Sequence, residues 1–107
     1  MAKWVPAILR RIRALANAGK VRFTAKALQE IAALGIGLDS DDVCDVLANL
    51  SAADSGGRLL SRVTGEWMYV FVPEVAGEDV YLKVILRNDC VVVSFHAQEG
   101  VRDEEET

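Results

Sequence analysis

The residues best suited to chemistry lie in one stretch of the chain, 79–96, whose composition is typical of two β-strands. Asn88-Asp89 separates two runs rich in β-branched residues, and both residue types tolerate positive φ, so a two-residue hairpin turn is predicted there. That turn pairs Arg87 with Cys90, Ile85 with Val92, Lys83 with Ser94 and Tyr81 with His96. The one histidine of the chain is therefore expected to lie opposite a tyrosine, with a lysine one step away.

Alternation of side chains gives this hairpin two different faces. The apolar face, expected to form the core beneath helices, comprises Val80, Leu82, Val84, Leu86, Val91, Val93 and Phe95. The polar face comprises Tyr81, Lys83, Arg87, Cys90, Ser94 and His96. The candidate site is therefore predicted on the face that points away from the core.

A His–Tyr–Lys group can perform general acid–base chemistry, because imidazole titrates near neutrality and a phenol can pass a proton beside a cation. The neighbouring Lys83 and Arg87 could hold a phosphate and neutralise charge that develops in the transition state. With no metal-ligand cluster and no cofactor motif in the sequence, this group suits metal-independent RNA cleavage by the RNA's own 2′-hydroxyl. The alternative is an ordinary solvated sheet face, where Tyr, Lys, Ser and Arg are common.

Other residues allow two interpretations each. Arg62 is either a phosphate contact or an ordinary strand-edge charge. The arginines 10, 11 and 13 either line an RNA groove or form a solvated helix face, and the second is favoured. The aromatic residues 67, 69 and 71 alternate at strand spacing, which suits base stacking but is more often core packing.

The elements that must position these residues change character halfway along the chain. Three helices are predicted first: 8–17; a second capped by Thr24 and stopped at Gly35; and a third capped by Asp39. Ser55-Gly56-Gly57 is predicted to be a loop. Strands are then predicted at 59–63, 66–72, 79–87 and 90–96, with a loop at 74–78. The order indicates an α+β domain with N-terminal helices packed on one face of a mainly antiparallel sheet of four to six strands.

Length and charge exclude several protein classes. A chain of 107 residues with 51% hydrophobic residues is expected to fold as one domain, predicted here at 1–98 with an acidic solvated tail at 99–107. No apolar stretch is long enough to span a membrane, and Cys44 and Cys90 are expected to be reduced thiols of a cytoplasmic protein. Residues 1–29 carry seven basic and no acidic side chains, whereas residues 30–54 carry six acidic and no basic ones. A local basic face is therefore compatible with the overall charge of −4.

An ordered set of short segments resembles the MqsR family of bacterial type II toxins, whose fold is similar to that of the RelE and ParE toxins. The matching segments are Asn17–Arg22, Leu34–Asp39, Val43-Cys44, Leu50-Ser51 with Asp54, Trp67, Pro73, Val80–Lys83 and Val92–Phe95. They occur in the family's order and at nearly its spacing. The resemblance implies a RelE-like fold and a ribosome-independent mRNA endonuclease that is inhibited by a cognate antitoxin, and the family's best-known member cuts at GCU-containing sites.

The resemblance also assigns roles to individual residues. Tyr81 falls on the family's catalytic tyrosine, and His96 falls where the family motif has an active-site lysine after Ser-Phe. Met68 replaces a family glutamine, and Arg58 is the candidate for a second family lysine in the loop after Asp54. Lys83 is expected to act with the catalytic pair, and Arg58, Arg62, Arg87 and Met68 are expected to contact RNA or its phosphates.

Three functions stay open from the sequence. The first, which the Tyr–His–Lys group favours, is a ribonuclease toxin that cleaves mRNA. The second is a toxin of the wider RelE/ParE superfamily that only binds a protein target. The third is a catalytically degenerate relative that only engages an antitoxin.

Overall fold

A computed structural model describes residues 2–98 of the chain; the predicted acidic tail at 99–107 lies outside the described residues. Three α-helices and six strands are present in residues 2–98, with the helices mainly preceding the sheet. The helices are α1 (Val5–Asn17), α2 (Ala25–Leu34) and α3 (Ser40–Ala48). The strands are β1 (Val21–Phe23), β2 (Ser55–Leu60), β3 (Trp67–Phe71), β4 (Glu74–Val75), β5 (Glu78–Leu86) and β6 (Cys90–Ala97).

The helix boundaries follow the capping residues in the sequence. The Thr24 hydroxyl accepts a hydrogen bond from the Ala27 N–H, and Gly35 ends α2 in the left-handed conformation. Asp39 and Asp42 form a capping box at the start of α3. Helix α1 begins three residues before its predicted start, because proline is well suited to the first helical turn. No helix within residues 2–98 has the length and apolarity needed to cross a membrane.

The sheet has the strand order β1-β6-β5-β3-β2, and β4 pairs with the start of β5. Its pairings are antiparallel except for the parallel pair β1–β6. The predicted α+β class with a mainly antiparallel sheet is confirmed. One core joins the helices to one face of the sheet, and its fully buried large side chains include Ile12, Leu47, Leu50, Phe71, Leu82 and Phe95.

Two predicted loops contain strands instead. Strand β2 begins at Ser55 and runs through Gly56-Gly57 to Leu60, so it starts four residues before the strand predicted at 59–63. A register shift occurs there, and a Cβ on Gly56 would lie 3.0 Å from the Val70 side chain, so the glycine permits close approach of the strands. The predicted loop at 74–78 contains β4 and a tight turn to β5.

The prediction of a two-residue turn at Asn88-Asp89 is wrong. Leu86 pairs with Cys90, which leaves three residues, Arg87 to Asp89, in the turn. Type I′ turns need positive φ at both central residues, and within residues 2–98 Ala76 is the one non-glycine residue with positive φ. The predicted pairs Arg87–Cys90 and Ile85–Val92 are therefore replaced by Leu86–Cys90 and Ile85–Val91.

A bulge at Val93 restores the predicted register beyond that point. Val84 pairs with Val92 and Lys83 pairs with Ser94, so Val93 is one extra residue on β6. Between the turn and the bulge, the residues of β6 consequently lie on the faces opposite to those predicted, whereas those of β5 lie as predicted. Cys90 and Val92 are fully buried in the core, whereas Val91 and Val93, predicted to be core residues, are half-buried on the other side. The pairs Lys83–Ser94 and Tyr81–His96 form as predicted.

Candidate functional site

The face of the sheet that carries Tyr81, Lys83, Ser94 and His96 is called the outer face below. Its residues form three rows across the strands, set by the pairing register. The first row is Tyr81–His96, the second is Val70–Lys83–Ser94, and the third is Met68–Ile85–Val91. Successive rows are about 7 Å apart, because side chains on one face of a strand are two residues apart.

The predicted pairing of Tyr81 with His96 is confirmed. Their rings stack, with centroids 5.0 Å apart and an angle of 16° between the ring planes. Both side chains are half-buried, so both are accessible to a ligand from one side. This arrangement lets a phenol and an imidazole reach one small group.

A hydrogen bond to the neighbouring backbone orients the His96 ring. Its Nδ1 atom lies 2.9 Å from the Ala97 carbonyl oxygen. A carbonyl can only accept, so this bond requires the proton on Nδ1. In the neutral ring Nε2 is then left as the basic nitrogen, able to accept a proton from a ligand.

Lys83 occupies the next row and is half-buried opposite Ser94. Burial lowers the pKa of Lys83, and the positive charge of Lys26 lowers it further, whereas Glu30 opposes the shift. Lys83 is thus the cation that the structure places directly beside the Tyr81–His96 pair, in agreement with the predicted cluster.

Helix α2 adds two residues that the sequence analysis missed, Lys26 and Glu30. The Lys26 ammonium donates to the Ser94 hydroxyl at 3.0 Å and lies 2.9 Å from a Glu30 carboxylate oxygen. The other Glu30 oxygen accepts the Phe95 backbone N–H at 2.9 Å. The i,i+4 spacing of Lys26 and Glu30 was a visible sign of an ion pair, but nothing in the local pattern indicated that α2 packs beside β6.

Arg58, predicted to contact phosphate, lies on the opposite face of the sheet from Tyr81 and His96. It pairs with Tyr69, which belongs to the core facing the helices. Its guanidinium lies 3.9 Å from the centroid of the Trp67 ring and 5.2 Å from that of Trp4. The structure therefore places Arg58 in a cation–π cluster at the start of α1, separate from the Tyr81–His96 pair.

The other predicted phosphate-binding arginines lie at the far end of the sheet. Arg87 is six residues beyond Tyr81, about 20 Å along the strand direction. It forms a bidentate ion pair with Glu66, with bonds of 2.7 and 2.8 Å, and these bonds lower the pKa of Glu66 to about 2. Arg62 is exposed in the turn between β2 and β3. These arginines stay predicted RNA contacts, but they do not surround Tyr81.

Contacts within the fold involve several of the remaining residues. Tyr69 and Phe71 are buried core residues, so the aromatic alternation mainly reflects packing. Two arginines of α1 contact backbone carbonyls: Arg11 contacts that of Arg87, and Arg13 contacts that of Leu50.

Cys44 and Cys90 are free thiols, and burial raises the pKa of Cys90 to about 12. Within residues 2–98 no group of three His, Cys, Asp or Glu side chains is arranged to hold a metal ion.

Comparisons with known proteins agree with this geometry. Residues 6–97 match the family described as "Motility quorum-sensing regulator, toxin of MqsA". The chain belongs to the MqsR toxin family. The match covers every element that builds the outer face and includes both Tyr81 and His96, and it confirms the family that the sequence resemblance indicated.

A curated relative gives the same assignment. The chain is similar to the mRNA interferase toxin MqsR of Escherichia coli strain K12, with 35% identity over 88 residues. The similar region covers 81% of this chain and 88% of that protein. The likeness to this MqsR toxin therefore extends over nearly the whole described domain.

Proposed function

We propose that this protein is the toxin of a toxin–antitoxin pair and an endoribonuclease that cleaves mRNA in the cytoplasm. The observation that carries the proposal is the stacked Tyr81–His96 pair beside Lys83, in a chain whose relative is named an mRNA interferase toxin. Its partner is a cognate antitoxin, MqsA-like or a functional equivalent, since the family is described as the toxin of MqsA.

The reaction uses the RNA's own 2′-hydroxyl as the nucleophile. The basic Nε2 of His96 accepts the 2′-hydroxyl proton, because Nδ1 already donates to the Ala97 carbonyl. The 2′-oxygen forms a bond to phosphorus, and the bond from phosphorus to the 5′-oxygen breaks. The Tyr81 hydroxyl donates its proton to that 5′-oxygen. The products are a 2′,3′-cyclic phosphate and a free 5′-hydroxyl, and Lys83 stabilises the charge on the phosphate oxygens.

The first test is cleavage of a long unstructured RNA in the presence of EDTA, with the new 5′ ends mapped. Wild-type protein is expected to give discrete cuts, and Tyr81→Phe and His96→Ala are expected to lose them. Tyr69→Phe is the matched control, because it removes a tyrosine hydroxyl on the opposite face of the sheet. The mapped ends also test whether cleavage occurs at GCU-like sites. Cuts that persist in both site variants would overturn the proposal.

A substrate with sulfur in place of the scissile 5′-oxygen separates the two roles. A thiolate leaves without protonation, since thiols are far stronger acids than alcohols. This substrate should therefore restore cleavage by Tyr81→Phe and leave His96→Ala inactive. Equal rescue of both variants, or of neither, would contradict the assignment of base and acid.

The binding-only alternative makes a different prediction in the same assay. A toxin that only engages a protein target would leave RNA intact while still arresting growth, and Tyr81→Phe would still arrest growth. Loss of both RNA cleavage and growth arrest in Tyr81→Phe, with retained folding, would exclude that alternative.

A further inference from the structure

We propose that Lys26 on α2 and Lys83 on β5, both neighbours of Ser94, form a phosphodiester-binding site of this protein. The arginines predicted to bind phosphate lie elsewhere: Arg58 is on the other face of the sheet, and Arg87 is in an ion pair with Glu66. The inference rests on the proposed function, since the ligand it names is the RNA backbone next to the reacting phosphate.

A hydrogen bond and the strand register place the two lysines next to the same serine. The Lys26 ammonium lies 3.0 Å from the Ser94 hydroxyl oxygen, and Lys83 is the residue directly opposite Ser94 in the sheet. Side chains at paired positions have Cβ atoms about 5 Å apart. The Tyr81–His96 row is the next one along the same strands. A phosphate between the two ammonium groups would therefore lie beside the catalytic pair.

The charges at this place are unbalanced in a way that favours an anion. Two ammonium groups share one carboxylate, that of Glu30. Burial lowers the pKa of Lys83 most, and repulsion from Lys26 lowers it further, so the two cations interact unfavourably when nothing else is bound. One phosphodiester would supply the missing negative charge. Lys26 is more than half exposed, whereas Ser94 is buried, so the ammonium can turn toward a ligand on the surface.

Glu30 fixes the position of this site. Strand β1 pairs with β6 along Cys90–Val92, and among residues 2–98 no strand pairs with this edge of β6 beyond Val92. Glu30 takes that place by accepting the Phe95 N–H, and it holds the Lys26 ammonium with its second oxygen. Helix α2 thus fixes both a cation and the backbone of the segment that carries His96.

The test measures binding without cleavage. A fluorescent single-stranded oligodeoxynucleotide lacks the 2′-hydroxyl, so its affinity can be followed by anisotropy over a range of salt concentrations. Lys26→Gln is expected to weaken binding about fivefold at low salt and to reduce the dependence on log salt by about 0.7, the value for one phosphate contact on a single strand. Lys20→Gln is the matched control, because Lys20 lies at the opposite end of β6.

Glu30→Gln is expected to change the affinity for the oligodeoxynucleotide in the opposite direction. The glutamine carbonyl can still accept the Phe95 N–H, while removal of the negative charge leaves both lysines free for the ligand. Binding should therefore tighten about threefold. If the Lys26–Glu30 pair only stabilised the fold, Glu30→Gln would bind the probe no more tightly than wild type, and neither would Lys26→Gln.

The outcomes separate this inference from the proposed function. If the wild type fails to bind the probe at low salt, or if Lys26→Gln matches Lys20→Gln, the site is overturned even when RNA cleavage is observed. If Lys26→Gln weakens and Glu30→Gln tightens binding while RNA stays intact, the phosphate site stands and the nuclease proposal fails.

Discussion

At the scale of single residues, Met68 is one position, like His96, where the sequence differs from the family pattern it resembles, which has glutamine there. Met68 is half-buried on the outer face and pairs with Ile85, two rows away from the Tyr81–His96 pair. A thioether is only a weak acceptor and cannot donate a hydrogen bond. At this distance the side chain is suited to contact a base near the cleaved phosphate, and its chemistry limits which base it can distinguish.

We expect Met68→Gln to add a base-specific contact without disturbing the fold. An amide that donates and accepts should change the distribution of mapped cleavage sites and raise kcat/KM at the preferred sequence by about tenfold. Val91→Gln, in the same row on β6, is a control for added polarity. An unchanged distribution of cleavage sites in Met68→Gln would show that this position does not contact the bases.

The Glu66–Arg87 ion pair predicts a specific dependence of stability on pH. The hydrogen bonds from Arg87 lower the pKa of Glu66 from 4.5 to about 2. A carboxyl whose pKa is lowered by folding stabilises the protein above its ordinary pKa, and this stabilisation is lost as the pH falls toward 2. Wild type should therefore lose stability relative to Glu66→Gln between about pH 4.5 and 2, measured as urea midpoints. Glu78→Gln, at an exposed position, is the control, and its urea midpoint should fall over this pH range as that of wild type does.

At the scale of elements, the turn between β4 and β5 holds a backbone conformation that its sequence does not favour. Ala76 and Gly77 are the two turn residues, with φ of 52° and 83°. Positive φ at both positions is typical of a type I′ turn, for which Asn-Gly is the preferred pair. A left-handed conformation costs an alanine about 1 kcal/mol.

Ala76→Asn should consequently stabilise the protein by about 1 kcal/mol, since asparagine tolerates the left-handed region. Gly77→Ala should have the opposite effect, because it places a second Cβ in a left-handed position. Chemical denaturation of both variants measures the difference. Equal midpoints for Ala76→Asn and wild type would indicate that this short hairpin opens before the rest of the domain.

Elements also show why some features could be predicted from the sequence and others could not. Helix ends were predictable because Thr24 and Asp39 cap them through local hydrogen bonds. The turn at 87–89 was not, because its geometry depends on longer-range contacts of Asp89 and Cys90 with Arg22 and Lys20. The Tyr81–His96 pair was nevertheless predicted, since the longer turn and the Val93 bulge each displace the register by one residue and the two displacements cancel. Lys26 and Glu30 were missed because their partners are more than sixty residues away.

At the scale of the whole molecule, the main core and the Tyr81–His96 pair lie on different faces of one sheet, and α2 reaches the outer face through Lys26. The core lies between the helices and the face that carries Phe71, Leu82 and Phe95. Tyr81 and His96 are half-buried on the other face. We therefore expect that Tyr81 and His96 can be exchanged with little loss of core packing. Tyr81→Phe keeps the ring that stacks on His96, so it should still unfold in one cooperative thermal transition, which makes loss of cleavage interpretable as chemistry.

The whole-molecule charge gives the last prediction. Residues 99–107 carry five acidic and one basic side chain, so residues 1–98 have no net charge. A chain ending at Gln98 should keep the urea midpoint of the full chain, because residues 1–98 are the proposed domain. It should bind a single-stranded oligodeoxynucleotide more tightly at low salt, since four net negative charges that repel the backbone are removed. The difference should vanish at about 1 M salt, where the Debye length is about 3 Å. A salt-independent gain would instead mean that residues 99–107 occupy the binding face by direct contact, and a lowered urea midpoint would place part of the folded domain beyond Gln98.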